Sequence, residues 1–140
     1  MTTKMADMNV GDTLPPLALP PLTRHTLALY CGGSGDHNPL HTDIDFAKTA
    51  GLPDVIGHGM LSMAFLARAL TGAFPPEQLR NFGVRFVSMA QIHDQITCTG
   101  TVDDRISVDG EDRLRLSLRA NVGERELLVG TAEVAIPATT

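Results

Sequence analysis

Hydrophobic residues follow a helical spacing in the first half of the chain and alternate with polar residues in the second half. In MLSMAFLARALTGAF, residues 60–74, apolar side chains cover almost the whole helical circumference. A helix that is apolar nearly all round is a buried helix. We therefore predict one long buried helix from about Gly59 to Thr71. It is too short, and too closely flanked by glycine and proline, to cross a membrane.

Two shorter helices are predicted before the long one. Thr23 is a typical N-cap residue for the first helix, which is expected to stop at the glycine-rich GGSGD. The second is predicted to begin after Asp43 and to end at Gly51. The residues predicted to face inward are Leu27, Tyr30 and Cys31 in the first helix and Phe46, Ala47 and Ala50 in the second.

From residue 80 onward the pattern changes to alternation, which is typical of strands. It is clearest in RLRLSLRA, where Leu114, Leu116 and Leu118 face one way and polar residues the other. Similar alternation in RNFGVRFVS, QITCTGTVDD and ELLVGTAEVAI predicts three further strands, and turn signals lie between the strands. The proline-rich GDTLPPLALPPLT gives at most a short edge strand. This order predicts an α+β fold, in which a curved antiparallel sheet wraps around one central helix.

Length and composition favour a single globular domain spanning residues 1–140. Hydrophobic residues make up 43% of the chain and charged residues 19%. The net charge of −5 argues against nucleic acid as a partner. Neither a signal-peptide pattern nor an apolar run of membrane-spanning length is present. Two cysteines do not make a disulfide framework, so we expect reduced thiols in a cytoplasmic protein.

The loop SGDHNPLH, residues 34–41, combines turn residues with groups that can carry protons. Ser34 and Gly35 allow a sharp turn, and Pro39 fixes its own φ and stiffens the connection between Asp36 and His41. A carboxylate and an imidazole held rigidly can manage one water, because one takes its proton while the other gives a proton to a substrate.

Two other interpretations of this loop stay open on the residues alone. Aspartate and asparagine are common turn residues because their side chains bond nearby backbone N–H groups. A metal site is also conceivable, with His37, His41 and His58 as ligands. The sequence has neither a helical histidine pair nor a cysteine cluster, which argues against that site.

Three segments together resemble a known family. They are YCGGSGDHNPLHTDIDFA, IGHGMLSMAFLARAL and GVRFVSMA, and in this order they cover nearly the whole chain. They are similar to MaoC-like (R)-specific enoyl-CoA hydratases of the hotdog fold. Within this family, the chain particularly resembles the short single-hotdog subunits, including the mycobacterial (3R)-hydroxyacyl-thioester dehydratases. The resemblance implies a hotdog fold and a dimer whose sheets join edge to edge.

The resemblance also implies the roles of individual residues. Asp36 and His41 would hold and deprotonate the water that attacks the β-carbon of a trans-2-enoyl thioester. The backbone N–H of Gly59 would donate to the thioester oxygen as charge builds there. Ser34, Asn38 and His58 would shape or support the loop, although for His58 the favoured interpretation is a satisfied, partly buried structural histidine.

Substrate contacts are less specific in the sequence. The residues expected near the acyl chain or coenzyme A are Ser62, Met63 and Arg85. A methionine in a helix is more often core than site. Arg85 would contact a coenzyme A phosphate, with Arg80 or an arginine of RLRLSLR as rivals. Exposed strand arginines are usually just solvated.

The resulting hypothesis is a hydro-lyase that hydrates enoyl thioesters of coenzyme A or an acyl carrier protein, with no metal or redox cofactor. Two alternatives remain. The chain could be the catalytic subunit of a heteromeric hotdog dehydratase rather than a homodimer. It could instead be a hotdog thioesterase, although the long helix has no Asp or Glu between Gly59 and Thr71 to activate water.

Overall fold

The computed structural model describes residues 7–138, so the first six and last two residues of the predicted domain 1–140 lie outside the described residues. The helices are α1 (Arg24–Ser34), α2 (Ile44–Thr49) and α3 (Gly59–Ala73). The strands are β1 (Leu17–Ala18), β2 (Leu79–Phe86), β3 (Thr97–Val108), β4 (Glu111–Val122) and β5 (Arg125–Ala135). All pairs are antiparallel, in the order β1-β3-β4-β5-β2. The predicted α+β fold is confirmed.

The sheet is built on two long hairpins. Between β3 and β4 the two turn residues Asp109 and Gly110 have φ angles of 51° and 81°. Positive φ at both positions is what a two-residue hairpin turn requires, and Asp-Gly is a preferred pair for it. Leu114, Leu116 and Leu118 are fully buried on one face of β4, as the alternation predicts. Helix α3 packs against β3, β4 and β5.

The prediction that α3 is buried all round is wrong. Its inner side carries Leu61, Leu66 and Leu70 into the core, but Met60 is 57% exposed. The sheet covers only one side of the helix. The outer side therefore presents apolar surface to solvent at the end where the helix begins.

The first helix ends within the predicted stop GGSGD. It passes through Gly32 and Gly33 to Ser34, and Gly35 ends it with a φ of 77°. A left-handed residue just after the last turn is a common way for a helix to end, and glycine adopts that conformation without strain. Thr23 caps the other end by accepting from the Thr26 N–H, as predicted.

The second helix buries less than the sequence suggests. Asp43 caps it as predicted, accepting from the N–H groups of Asp45 and Phe46. However, Phe46 and Ala50 are exposed and only Ala47 is fully buried. Six residues make fewer than two turns, so only one position of α2 faces the core.

Cys31 and Cys98 are both free and buried, in agreement with the expected thiols. Burial raises the pKa of the Cys98 thiol to about 11. Among residues 7–138, no helix has both the length and the hydropathy needed to cross a bilayer.

Candidate active site

The loop between α1 and α2 is held by its own side chains. The Asp36 N–H donates to Ser34 Oγ at 3.1 Å, and the Asn38 N–H donates to Asp36 Oδ1 at 3.2 Å. Asn38 Oδ1 in turn accepts from the Leu40 N–H at 3.0 Å and caps the 3₁₀ turn Pro39–His41. The side chains of Ser34 and Asn38 are therefore used to fix the backbone, as their predicted loop-shaping role requires.

This loop places Asp36 and His41 side by side. His41 Nε2 lies 3.7 Å from Asp36 Oδ2. The other ring nitrogen, Nδ1, lies 2.7 Å from the Ile56 carbonyl oxygen, so it carries the hydrogen and donates. A neutral His41 then has its lone pair on Nε2, directed to the carboxylate side. The His41 side chain is 11% exposed and that of Asp36 is 52% exposed, so the pair opens to solvent on one side.

His58 lies directly behind the pair. Its ring is stacked on the ring of His41, with centroids 3.7 Å apart and planes 23° apart. Its Nε2 lies 3.3 Å from the Asp36 main-chain oxygen and 3.5 Å from Cys31 Sγ. Burial and then the neighbouring His41 lower the pKa of His58, which favours the neutral ring.

Gly59 follows His58 and opens α3. Its N–H has no acceptor among the described residues, so it remains available to a ligand at the positive end of the helix dipole. A Cβ at Gly59 would lie 3.0 Å from the Phe86 ring, so glycine is what lets this ring approach the helix. Gly59 and Ser62 line one cavity of about 270 Å³ together with Gly57, Phe86, Val87, Ser88, Met89, Ala90 and Leu128.

The remaining predicted site residues lie outside this cavity. Met63 is half-buried and packs against the core, and Arg85 is exposed on β2. The rivals of Arg85 are engaged elsewhere. Arg80 and Arg113 both pair with Glu111, whose pKa they lower by their hydrogen bonds. Likewise, Arg115 pairs with Glu133 and Arg119 with Glu126. No such acidic partner lies beside Arg85 within residues 7–138.

Three potential metal ligands do come close together. One ligand atom each from Asp36, His41 and His58 lies within 4.8 Å of the others. His37, the third histidine considered from the sequence, is not part of this group. His41 Nδ1 and His58 Nε2 already face carbonyl oxygens, which leaves the Asp36–His41 pair as the chemically open part.

Two contributors to the site are not apparent from the sequence. Ile56 acts through its backbone carbonyl, and a backbone acceptor leaves no residue-type signal. Phe86 lies in a segment whose alternation marks it only as a strand residue, although its ring borders Gly59. The alternation of β2 could have placed Phe86 on the helix side, but not at the start of α3.

Comparison with known proteins gives a consistent result. A family model described as MaoC like domain matches residues 10–122. An (R)-specific enoyl-CoA hydratase from Rhodospirillum rubrum is 29% identical over 119 residues, which cover 84% of this chain and 81% of that protein. The structure of the R-hydratase PhaJ1 from Pseudomonas aeruginosa superimposes with a TM-score of 0.82 at 26% identity. That match covers 96% of this chain and 85% of the other.

A fungal relative is much longer. The fatty acid synthase subunit beta of Aspergillus oryzae is 37% identical over 113 residues, which are 76% of this chain but only 5% of that protein. The predicted hotdog fold and family are confirmed by these matches, and the hydro-lyase class agrees with the names of the relatives.

Proposed function

The chain belongs to the MaoC-like domain family, and from that membership we propose that it reversibly hydrates trans-2-enoyl thioesters to (R)-3-hydroxyacyl thioesters. One observation carries this proposal. Asp36 Oδ2 and His41 Nε2 face each other at 3.7 Å, with His41 oriented by the Ile56 carbonyl. That separation is longer than a good direct hydrogen bond, so a water at the open side can contact both groups.

The proposed reaction adds the elements of water across one carbon–carbon double bond. One member of the pair takes a proton from the water as the water oxygen bonds to the β-carbon. His41 is suited to this role because the lone pair on its Nε2 is free. The electrons of the double bond move toward the thioester carbonyl. The proton taken from the water is then delivered by the pair to the α-carbon on the same face. This delivery returns Asp36 and His41 to their starting state, and dehydration is the reverse.

The thioester oxygen gains negative charge during this addition. We place it against the N–H of Gly59, which has no acceptor among the described residues and lies at the N-terminus of the fifteen-residue helix α3. A backbone donor at a helix N-terminus is suited to developing negative charge. The cavity of about 270 Å³ beside Gly59 would take the substrate atoms next to the thioester, with Ser62 and Phe86 in its wall.

The carrier is proposed to be coenzyme A or an acyl carrier protein, either of which ends in phosphate-bearing pantetheine. Arg85 is favoured for a phosphate contact because the competing strand arginines are paired with glutamates. Because the chain spans only a small part of the fungal fatty acid synthase subunit, a role within a larger assembly belongs to the same proposal.

We further propose that the reaction needs no metal or redox cofactor. Acid–base chemistry by Asp36 and His41 accounts for both proton transfers. The group formed by Asp36, His41 and His58 makes this a direct question for experiment. Activity that survives dialysis against EDTA supports the proposal. Loss on dialysis, with recovery on adding Zn²⁺, contradicts it.

The assembly is proposed to be a pair of hotdog chains. Strand β2 is an edge of the sheet, and unpaired edges invite pairing with another chain. A homodimer is the simplest assembly, since two-fold pairing is the commonest closed symmetry. The alternative is a heterodimer in which this chain supplies Asp36 and His41 and a second hotdog chain completes the acyl pocket.

The deciding experiment is a hydration assay of the purified protein with trans-2-enoyl-CoA thioesters of increasing chain length. His41→Gln and a sizing measurement belong in the same experiment. Turnover that His41→Gln abolishes supports a self-sufficient hydratase. A folded homodimer that hydrates none of the panel contradicts it. Activity that returns on adding a second hotdog chain then identifies the heteromer, while release of free thiol from saturated acyl-CoA identifies a thioesterase.

A further inference from the structure

His58 is buried between two rings, one of which belongs to the proposed catalytic pair. Only 1% of its surface is exposed. One face lies against His41 with ring centroids 3.7 Å apart, and the Tyr30 ring meets it edge-on at 4.7 Å. One face of the His41 ring is therefore covered by the His58 ring, while His41 Nδ1 donates to the Ile56 carbonyl oxygen. These two contacts leave the His41 ring little freedom to tilt or turn.

The same histidine also contacts the backbone of the other catalytic residue. His58 Nε2 lies 3.3 Å from the Asp36 carbonyl oxygen, and a carbonyl oxygen can only accept. The hydrogen of a neutral His58 is therefore on Nε2, with Cys31 Sγ also nearby at 3.5 Å. This bond joins the start of α3 to the loop on which the Asp36 carboxylate is mounted.

The remaining nitrogen argues against simple core packing. His58 Nδ1 is buried and has no hydrogen-bond partner among the described residues. Leaving a buried polar atom unpaired is destabilising, so a purely apolar side chain would pack here at lower cost. The polar ring is thus retained for what Nε2 and the ring face do, and both act on the Asp36–His41 pair.

We propose that His58 is a positioning residue that sets the distance between Asp36 and His41 through the Asp36 carbonyl and the face of the His41 ring. It acts through these residues and does not touch the substrate. This inference rests on the proposed function, since it assigns the role to the same pair. It distinguishes His58 from Ser34 and Asn38, which fix the loop only from within.

A matched pair of variants separates the hydrogen bond from the volume of the side chain. His58→Gln places an amide N–H close to the position of ring Nε2, whereas His58→Met has a similar length and no donor. Both remove the stacked ring and fill similar space. We expect His58→Met to lower kcat by about 10- to 100-fold relative to His58→Gln, which is the range for losing one buried hydrogen bond. KM should stay within about threefold in both, because His58 does not bind substrate.

Equal kcat values for the two variants would overturn the proposal, as would losses of kcat that simply follow the fall in melting temperature. The probe is trans-2-butenoyl-CoA, with wild-type protein in parallel. Wild-type protein that is inactive on every enoyl-CoA contradicts the proposed function instead.

The hydrogen bond itself can be tested without any activity and without any variant. Nitrogen-15 NMR of the wild-type imidazoles is expected to show a neutral His58 with its proton on Nε2. A proton on Nδ1 would mean that no bond reaches Asp36, and the positioning role would fail even in an active enzyme.

Discussion

The two carboxylate oxygens of Asp36 have different surroundings. Oδ1 accepts from the Asn38 N–H at 3.2 Å, whereas Oδ2 faces His41 Nε2 at 3.7 Å. The first contact fixes the side chain and the second leaves an oxygen free to hold water or a proton. A substitution that keeps the first oxygen and removes the basicity of the second therefore isolates the chemistry.

Asp36→Asn is such a substitution. We expect kcat for enoyl-CoA hydration to fall roughly 100- to 10,000-fold, because acid–base help from one side chain is of that size. The melting temperature should barely change, since the amide oxygen can still accept from Asn38. Asp45→Asn, at an exposed position in α2, serves as the control and should retain full activity. Near wild-type turnover by Asp36→Asn would refute the assigned role.

Within residues 7–138, Arg85 has no acidic partner, whereas its rivals Arg80, Arg113, Arg115 and Arg119 each pair with a glutamate. Arg85→Gln is expected to raise KM for an enoyl-CoA by about two- to fivefold with little change in kcat, the size of one exposed ion pair. The difference in KM between Arg85→Gln and wild type should shrink as salt is added, because screening weakens such ion pairs. Arg115→Gln, which breaks a pair with Glu133, is the control and should leave KM unchanged. Equal effects of the two variants would remove Arg85 from the proposed phosphate site.

The pH dependence of stability follows from the position of His58. Burial and the neighbouring His41 lower its pKa below the ordinary value of 6.5, although the bond to Asp36 opposes them. The unfolded chain thus binds a proton at His58 at a pH where the folded chain does not. The resulting contribution to the free energy of unfolding is fully present above about pH 6.5 and declines as the pH falls.

We expect thermal unfolding between pH 7.5 and 5 to show a decline in melting temperature that is shallower in His58→Gln than in wild type. The glutamine variant is the proper reference because it removes the titrating ring and retains a polar side chain. Identical slopes in the two proteins would mean that His58 does not contribute to the pH dependence.

At the scale of elements, the sequence indicated positions better than it indicated exposure. The caps Thr23 and Asp43 and the alternation of Leu114, Leu116 and Leu118 mark local physics, and all of them appear in the structure. The exposure of Phe46 and of the outer side of α3 depends on which neighbours cover them, and periodicity contains no information on neighbours.

In the candidate site, too, some features follow from local sequence and others depend on neighbours brought in by the fold. Asp36 and His41 lie in one short motif, so their proximity could be predicted from the loop. Their orientation depends on the Ile56 carbonyl and the His58 ring, which approach from the start of α3. Those contacts are set by tertiary packing, and no local pattern specifies them.

Helix α3 contains two glycines with very different surroundings. A Cβ at Gly59 would lie 3.0 Å from the Phe86 ring, whereas a Cβ at Gly72 meets nothing within 4 Å. Gly72→Ala should therefore stabilise the protein by about 0.5–1 kcal/mol without affecting activity. Gly59→Ala should lower kcat strongly, because the methyl group displaces Phe86 and crowds the N–H proposed to bind the thioester oxygen.

Comparing Gly59→Ala and Phe86→Leu, each alone, with the double variant Gly59→Ala/Phe86→Leu tests the crowding directly. The double variant removes most of the clash with the ring, so any activity it recovers measures that clash, and what stays lost measures crowding at the donor. If Gly59→Ala is fully active, Gly59 is not the oxyanion donor.

At the scale of the whole molecule, exposed apolar residues gather around the candidate site. Met60, Phe86, Val87 and Met89 are all about half exposed, and three of them line the cavity beside Gly59. Phe86 ends β2, and Val87 and Met89 directly follow it; β2 is the longer of the two edge strands of the sheet. A second chain on this edge would bury them and close the open side of the cavity, which links assembly to activity.

Val87→Lys tests that link, because a charge buried between two chains is costly while the same charge on a monomer surface is not. We expect the variant to elute as a folded monomer by light scattering and to lose activity in proportion to dissociation, with partial recovery at high protein concentration. Leu29→Lys, at an exposed apolar position on α1, is the control and should remain dimeric and active. A fully active monomer would separate catalysis from assembly, and a Val87→Lys dimer would place the interface elsewhere. Loss of activity together with the dimer would mean that each site needs the neighbouring chain to close its cavity.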